Sequence, residues 1–300
     1  MYEYCLLNRD LLPLFQKMTY PVYWKMIKNF PDTDDMDVVA YGCMCFGVAA
    51  GLAIAFLNHV EKKARLLSLF TDPEHRNRGI AATLLSKLNE NLKDRHVKEV
   101  YTVFERGRNF SDQVENSLKK CGFSDFKIRA HIGRGHLELM RKAAWWQKAF
   151  PLTRFSIIPW KDISREKKQR LRCPENETPW YPPNLSPFND PHIREPLNSF
   201  GLIYQSEIAG WSITHRIAPD TIRYTCLFVR EEFQAYGIAI PLIAASIKKH
   251  IEFREELGLG KFTFVVYPEN GNMLRFVNRY FRPYLDQLNE SVAARKVFIQ

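Results

Sequence analysis

The chain has 300 residues, 46% hydrophobic and 25% charged, with a formal net charge of +10. This balance excludes a disordered, collagen-like or disulfide-scaffold chain, and the length suits two domains of about 150 residues, each able to bury a core. The positive charge favours anionic ligands of several kinds, but no nucleic-acid motif of recognised spacing accompanies it, so no nucleic-acid partner is expected.

Residues 2–7 read as a strand and residues 11–30 as mostly helix, broken at Pro21. Residues 38–57 form an apolar run of membrane-span length. Gly42, Gly47 and Gly51 interrupt it and an acidic stretch at 32–37 precedes it, so a buried β-hairpin turning near 47–51 is expected, with no transmembrane segment. The first residues lack a basic region, so no secretory signal is expected. A strand at 66–70 leads through Asp72-Pro73 to an Arg-x-x-Gly-x-Ala hexapeptide made by Arg76, Gly79 and Ala81. Behind it Ile80, Leu84, Leu85, Leu88 and Leu92 recur at helical spacing. A strand at 97–104 and a helix at 114–120 follow, ending at Cys121-Gly122-Phe123.

The second half repeats the pattern from a boundary near Pro151. A strand opens at Phe155, and a charged helix covers 164–172. Seven prolines fall from Pro174 to Pro196, which predicts a stiff extended loop, and Trp180, Tyr181 and Phe188 lie within it. These aromatics either staple the loop to the core or wall a substrate site. After a strand at 223–229, Gln234, Gly237 and Ala239 spell Gln-x-x-Gly-x-Ala, and Ile238, Leu242, Ile243, Ile247 and Ile251 continue as a helix. A strand at 262–267 precedes Asn270-Gly-Asn-Met273, which opens another helix. The two loop glycines lie 158 positions apart, at 79 and 237, about one domain length.

A strand–glycine–helix turn suits an anion. Glycine admits close backbone approach, and the helix start presents unpaired N–H groups and a positive dipole end. Arg76 and Arg78 add charge to the first loop, whereas the second has Gln234 and Tyr236 there.

At these residues the chain resembles the GNAT superfamily of N-acetyltransferases, whose pyrophosphate signature is Gln/Arg-x-x-Gly-x-Gly/Ala, and the Asn270–Met273 element is similar to mycothiol-synthase-like members. The resemblance implies an α/β (α+β) fold of two tandem GNAT domains, 1–150 and 151–300, each a mixed, mostly antiparallel sheet flanked by helices. It implies acetyl-CoA or a longer acyl-CoA as co-substrate, bound through Arg76, Arg78, Gly79, Ile80 and Ala81 in the first repeat and Gln234, Gly237, Ile238, Ala239 and Asn270 in the second. The implied activity is acyl transfer to a primary amine of a small molecule or peptide. The alternative is a non-catalytic acyl-CoA-binding scaffold with degenerate sites.

Catalytic positions depart from the family. The tyrosine that often protonates the leaving thiolate is replaced by Leu118 and Phe276, and Arg65 and Arg223 stand where the usual base would be. His215, with an intrinsic pKa suited to an amine proton, becomes the candidate base, with Glu231 or Glu232 as carboxylate alternatives and Tyr280 or Tyr284 as thiolate partners. Trp180, Tyr181, Phe188 and Tyr224 are the expected acceptor or acyl contacts. Six scattered cysteines show no paired metal-ligand spacing, so no metal is expected; they read as reduced thiols of a cytoplasmic protein, with Cys43 and Cys45 on one face of a strand.

Overall fold

The computed structural model describes residues 1–8, 10–28, 36–147, 154–172, 180–234 and 236–298. In chain order the strands are β1 (Tyr2–Leu6), β2 (Met36–Cys45), β3 (Val48–Asn58), β4 (Lys63–Thr71), β5 (Glu99–Arg106), β6 (Ser124–His136), β7 (Phe155–Pro159), β8 (Phe200–Tyr204), β9 (Glu207–Ala218), β10 (Thr221–Val229), β11 (Lys261–Val266) and β12 (Gln287–Val297). The helices are α1 (Pro21–Lys28), α2 (Ile80–Asp94), α3 (Ser111–Lys120), α4 (Leu137–Met140), α5 (Ala144–Gln147), α6 (Arg165–Leu171), α7 (Glu231–Gln234), α8 (Ala239–Leu257) and α9 (Gly271–Tyr280).

Two compact units result. Unit 1 is Met1–Arg129 with Glu290–Gln300, and unit 2 is Ala130–Asn289. The expected boundary at Pro151 lies outside the described residues, and the units do not follow the halves 1–150 and 151–300. The strand after α3 is β6, yet its residues 131–136 pair with β11 in unit 2. The strand after α9 is β12, yet its residues 290–297 pair with β5 in unit 1. Each repeat thus gives the latter part of its last strand to the other unit's sheet.

In unit 1, β1, β2, β3 and β4 are antiparallel neighbours, and β4 runs parallel to β5. The apolar run 38–57 is a hairpin as expected. Its turn sits at Phe46 and Gly47, whose φ values of 49° and 79° suit the twist of a tight antiparallel turn. Gly51 lies inside β3, where an added Cβ would meet Ile80 of α2 at 2.8 Å. The α2 residues Ile80, Leu84, Leu85, Leu88 and Leu92 are buried against Val39, Cys43, Ala53 and Leu57. Cys45 packs partly on the same cluster, so the two cysteines do share an apolar face.

In unit 2, β11 runs parallel to β10, which continues antiparallel through β9, β8 and β7. Leu242, Ile243 and Ile247 of α8 are buried. Gly133 and Gly135 of β6 leave room for rings on β11. A Cβ at either position would lie 2.2 Å from Phe264 or 2.5 Å from Phe262. Among the described residues no helix is long and apolar enough to cross a membrane.

Candidate functional site

The repeats share two backbone devices. The first is a β-bulge. In β4 the pairing steps from Ile54↔Ser68 to Ala55↔Leu66 and leaves Leu67 over; in β10 it steps from Tyr224↔Thr214 to Cys226↔Ile213 and leaves Thr225 over. Leu67 and Thr225 stand the same distance before their loop glycines. A bulge residue drops out of the hydrogen-bond ladder and bends its strand. In both units the parallel pairing ends just before it, at Leu66↔Thr102 and at Tyr224↔Phe264.

The second device is the glycine turn. Gly79 adopts φ 80° and Gly237 φ 68°, a region that costs any other L-residue strain. Gly79 caps α2 with no side-chain hydrogen bond, and Ile238 caps α8 likewise. Neither helix has an acidic residue in its first turn. The first-turn amides of Ile80 and Ala81, and those at the start of α8 after Gly237, Ile238 and Ala239, therefore suit an anion. An added Cβ at Gly79 would meet nothing within 4 Å, so the backbone there is open to a ligand.

The side chains at the head of each hexapeptide do something else. Arg76 Nε donates to the Thr71 carbonyl at 3.2 Å, and Gln234 Nε2 donates to the Val229 carbonyl at 2.8 Å. Both tie the loop to the end of the preceding strand. The Arg76 guanidinium also stacks 3.9 Å from the Phe110 ring centroid, and Arg78 donates to the Tyr2 hydroxyl at 3.0 Å. The arginines of the first loop are thus anchored in place.

Unit 2 opens where β10 and β11 part. A cavity of about 670 Å³ lies there, lined by Tyr224 and Leu227 of β10, Phe264 and Val266 of β11, and Met273 and Phe276 of α9. Its polar lining includes Asn184, Arg223, Thr225, Tyr267, Glu269 and Asn270. An apolar cavity of this size with a few polar groups is typical of small-molecule sites. Asn270 also caps α9, accepting from the Met273 N–H at 3.0 Å.

The aromatic residues of the proline-rich loop lie elsewhere. Trp180 and Tyr181 pack around Trp211 with ring centroids 5.7 and 5.0 Å away, and Phe188 lies 6.2 Å from Trp160. The Tyr181 hydroxyl donates to the Leu171 carbonyl at 3.2 Å, and Trp211 Nε1 donates to Leu185 O at 2.8 Å. These rings brace the loop, while Pro182, Asn184 and Leu185 face the cavity. Arg230 stacks on the Trp180 ring at 4.7 Å.

His215 is buried at 2% exposure rather than lining the cavity. Its Nδ1 lies 2.7 Å from Thr225 Oγ1 and its Nε2 lies 3.1 Å from the Asn189 carbonyl. Burial holds its pKa below the ordinary value, partly offset by the Asn189 bond. Direct contact with an amine is therefore excluded by geometry. Tyr224 does reach the cavity, with its hydroxyl 3.1 Å from His250 Nδ1, and burial pushes its phenol pKa up. Tyr280 packs against Trp145 at 5.5 Å and against the cavity-lining Phe276 at 5.0 Å, one ring behind the cavity wall. Glu232 is an exposed residue of α7, 4.0 Å from Arg230. Neither belongs to the cavity. Thr225, Tyr267 and Glu269 do, and sequence reasoning passed over them; Glu269 stands next to Asn270, whereas nothing local marks Thr225 as a bulge.

Residues 9–123 match the Acetyltransferase (GNAT) family. No curated protein matches the chain. A tandem GNAT protein from the clavulanic acid biosynthesis pathway, solved without AcCoA, has a similar fold over 99% of this chain and 98% of its own, with TM-score 0.56 at 13% identity. A GCN5-related N-acetyltransferase from Sphaerobacter thermophilus is similar over 99% of this chain and 95% of its own, with TM-score 0.52 at 14% identity. The first repeat, with its glycine turn and bulged strand, carries the family match, and the second reproduces both devices at constant spacing. Residues 9–123 thus match the GNAT acetyltransferase family, and the full chain has the fold of tandem GNAT proteins.

Proposed function

We propose that this protein transfers an acetyl or longer acyl group from acyl-CoA to a primary amine of a small molecule or peptide, with the chemistry in unit 2. Family and fold support acyl-CoA-dependent acyltransferase activity. The observation that carries the finer reading is the cavity at the parting of β10 and β11, beside the bulge at Thr225. The unit 2 glycine turn offers its amides to the pyrophosphate. The strand gap takes the thioester, and the apolar walls Leu227, Phe264, Val266 and Phe276 exclude water from it. A free thiol has a pKa of about 8.5, so the thiolate is a good leaving group. The free thiols Cys5, Cys43, Cys45, Cys121 and Cys226 support a reducing compartment such as the cytoplasm.

The test is thiol release from acetyl-CoA and longer acyl-CoAs against a panel of primary amines, with a thermal melt alongside. An acyl-CoA at about 100 times its dissociation constant stabilises the native state by about 2.7 kcal/mol. Absence of both thiol release and a melting shift with every thioester would overturn the reading.

A further inference from the structure

We propose that Thr225 and His215 form a proton relay that carries the amine proton out of the unit 2 cavity, with Thr225 the contact residue and His215 the buried positioning residue behind it. The inference rests on the acyltransferase reading and adds the base that the family pattern lacks here.

The hydrogen bonds set the direction of the relay. The partner of His215 Nε2 is the Asn189 carbonyl, which only accepts, so Nε2 carries the proton. Nδ1 is then the bare nitrogen, and the Thr225 hydroxyl 2.7 Å away donates to it. The other acceptor near that hydroxyl is the Arg223 carbonyl at 3.4 Å, a weaker contact. With its proton committed to His215, the Thr225 oxygen has lone pairs left for a donor on its open side, where Thr225 lines the cavity. An N–H of a primary amine is such a donor. The bulge is what places it there: an unbulged β10 would carry the next side chain at this position on the opposite face.

The step balances. The amine nitrogen forms a bond to the thioester carbonyl carbon. Its proton passes to Thr225 Oγ1 as the Thr225 proton passes to His215 Nδ1. Collapse breaks the C–S bond, and the departing thiolate takes a proton back from His215 through Thr225. The products are an amide and a free thiol, with both side chains restored.

The charges facing His215 come from Asp190 and Arg194 on the loop before β8, and Arg223 on β10. The arginines oppose a proton on the ring and Asp190 favours one. Burial first, helped by the two arginines, outweighs Asp190 and the Asn189 bond and keeps the imidazole neutral, hence able to accept, through the neutral range.

Thr225→Val keeps the shape and removes the hydroxyl. It should lower kcat for acyl-CoA and amine by roughly a hundredfold, the usual scale for losing general-base assistance, with little change in KM for acyl-CoA. Thr225→Ser should restore most of the rate. The wild-type rate should fall on the acid side, at a pH below histidine's ordinary value because burial lowers the His215 pKa, and Thr225→Val should lose that limb. His215→Gln combined with Thr225→Val should be no slower than either alone, because both cut one path. As a measurement free of any variant, the wild-type proton inventory in mixed light and heavy water should be curved, reporting two protons in flight. A wild-type rate and pH profile in Thr225→Val, or a linear inventory, would overturn the relay while leaving the acyltransferase reading in place. Absence of thiol release from the wild type with every amine would overturn both.

Discussion

Where β4 and β5 part in unit 1, the Thr102 hydroxyl reaches across and donates to the Leu66 carbonyl at 3.1 Å. The matching position in unit 2 is Phe264, whose ring lines a cavity of about 670 Å³. The backbones are alike up to this point, with the same bulge, the same end of parallel pairing and the same glycine turn. The bulge residue is the buried Leu67 in one unit and the cavity-lining Thr225 in the other. A duplicated backbone therefore leaves the choice between scaffold and site to a few side chains. Charge does not make that choice: the arginines of the first loop are held by Thr71, Phe110 and Tyr2.

The sharpest way to break the comparison is to strain one turn at a time. Gly237→Val places a β-branched residue at φ 68° and crowds the amides of the unit 2 loop; turnover should fall roughly a hundredfold, about the loss of one or two charge-assisted hydrogen bonds. Gly79→Val carries the same strain at φ 80° and should leave turnover within a few-fold of wild type. Steady-state rates of both variants decide. The reverse order would move the chemistry to unit 1.

Acid should weaken unit 2 through its buried histidines. Burial lowers the pKa of His250 to about 4, and His215 shifts in the same direction. Because the folded value lies below the unfolded one of 6.5, the unfolded chain binds the extra proton first. The stability that His250 confers is complete above pH ~6.5 and is lost as pH falls from there toward 4, about 2 kcal/mol by pH 5. Denaturation followed by fluorescence of Trp160 and Trp211, both buried in unit 2, should show the loss at pH 5, and His250→Gln should flatten it. Equal wild-type stability at pH 7 and pH 5 would contradict the assignment.

Two glycines sharpen the contrast at smaller cost. A Cβ at Gly133 would lie 2.2 Å from Phe264, and one at Gly42 would lie 2.4 Å from Phe15. Each alanine variant should lose about 1–3 kcal/mol by overpacking. Only Gly133→Ala should also lower turnover, because Phe264 is a cavity wall. The smallest effect expected is from Asn270→Ala, which removes the α9 cap and should cost about 1 kcal/mol in a urea melt. No change would mean that the cap is replaced by another group.

The sequence by itself determined the local elements and the resemblance that the match over residues 9–123 supports. Periodicity placed the α2 face, the hairpin at 38–57 and the turns at Gly79 and Gly237, since each is encoded within a dozen residues by spacing, glycine conformation and helix capping. It also held the open alternative that the loop aromatics serve the core, as Tyr181 and Phe188 do, while Trp180 packs on Trp211 from the exposed side. Only the tertiary structure decided the rest. The exchange of β6 and β12 depends on strand partners far apart in the chain, and a strand's hydrophobic pattern states which face is buried without naming its neighbour. The bulge at Thr225 is a one-residue shift of register, invisible until β9 is laid beside β10. His215 looked like a base because histidine titrates near neutrality. Its burial behind Thr225 follows from the packing of the loop at Asn189 against β9, a contact between segments that carry no local sign of meeting.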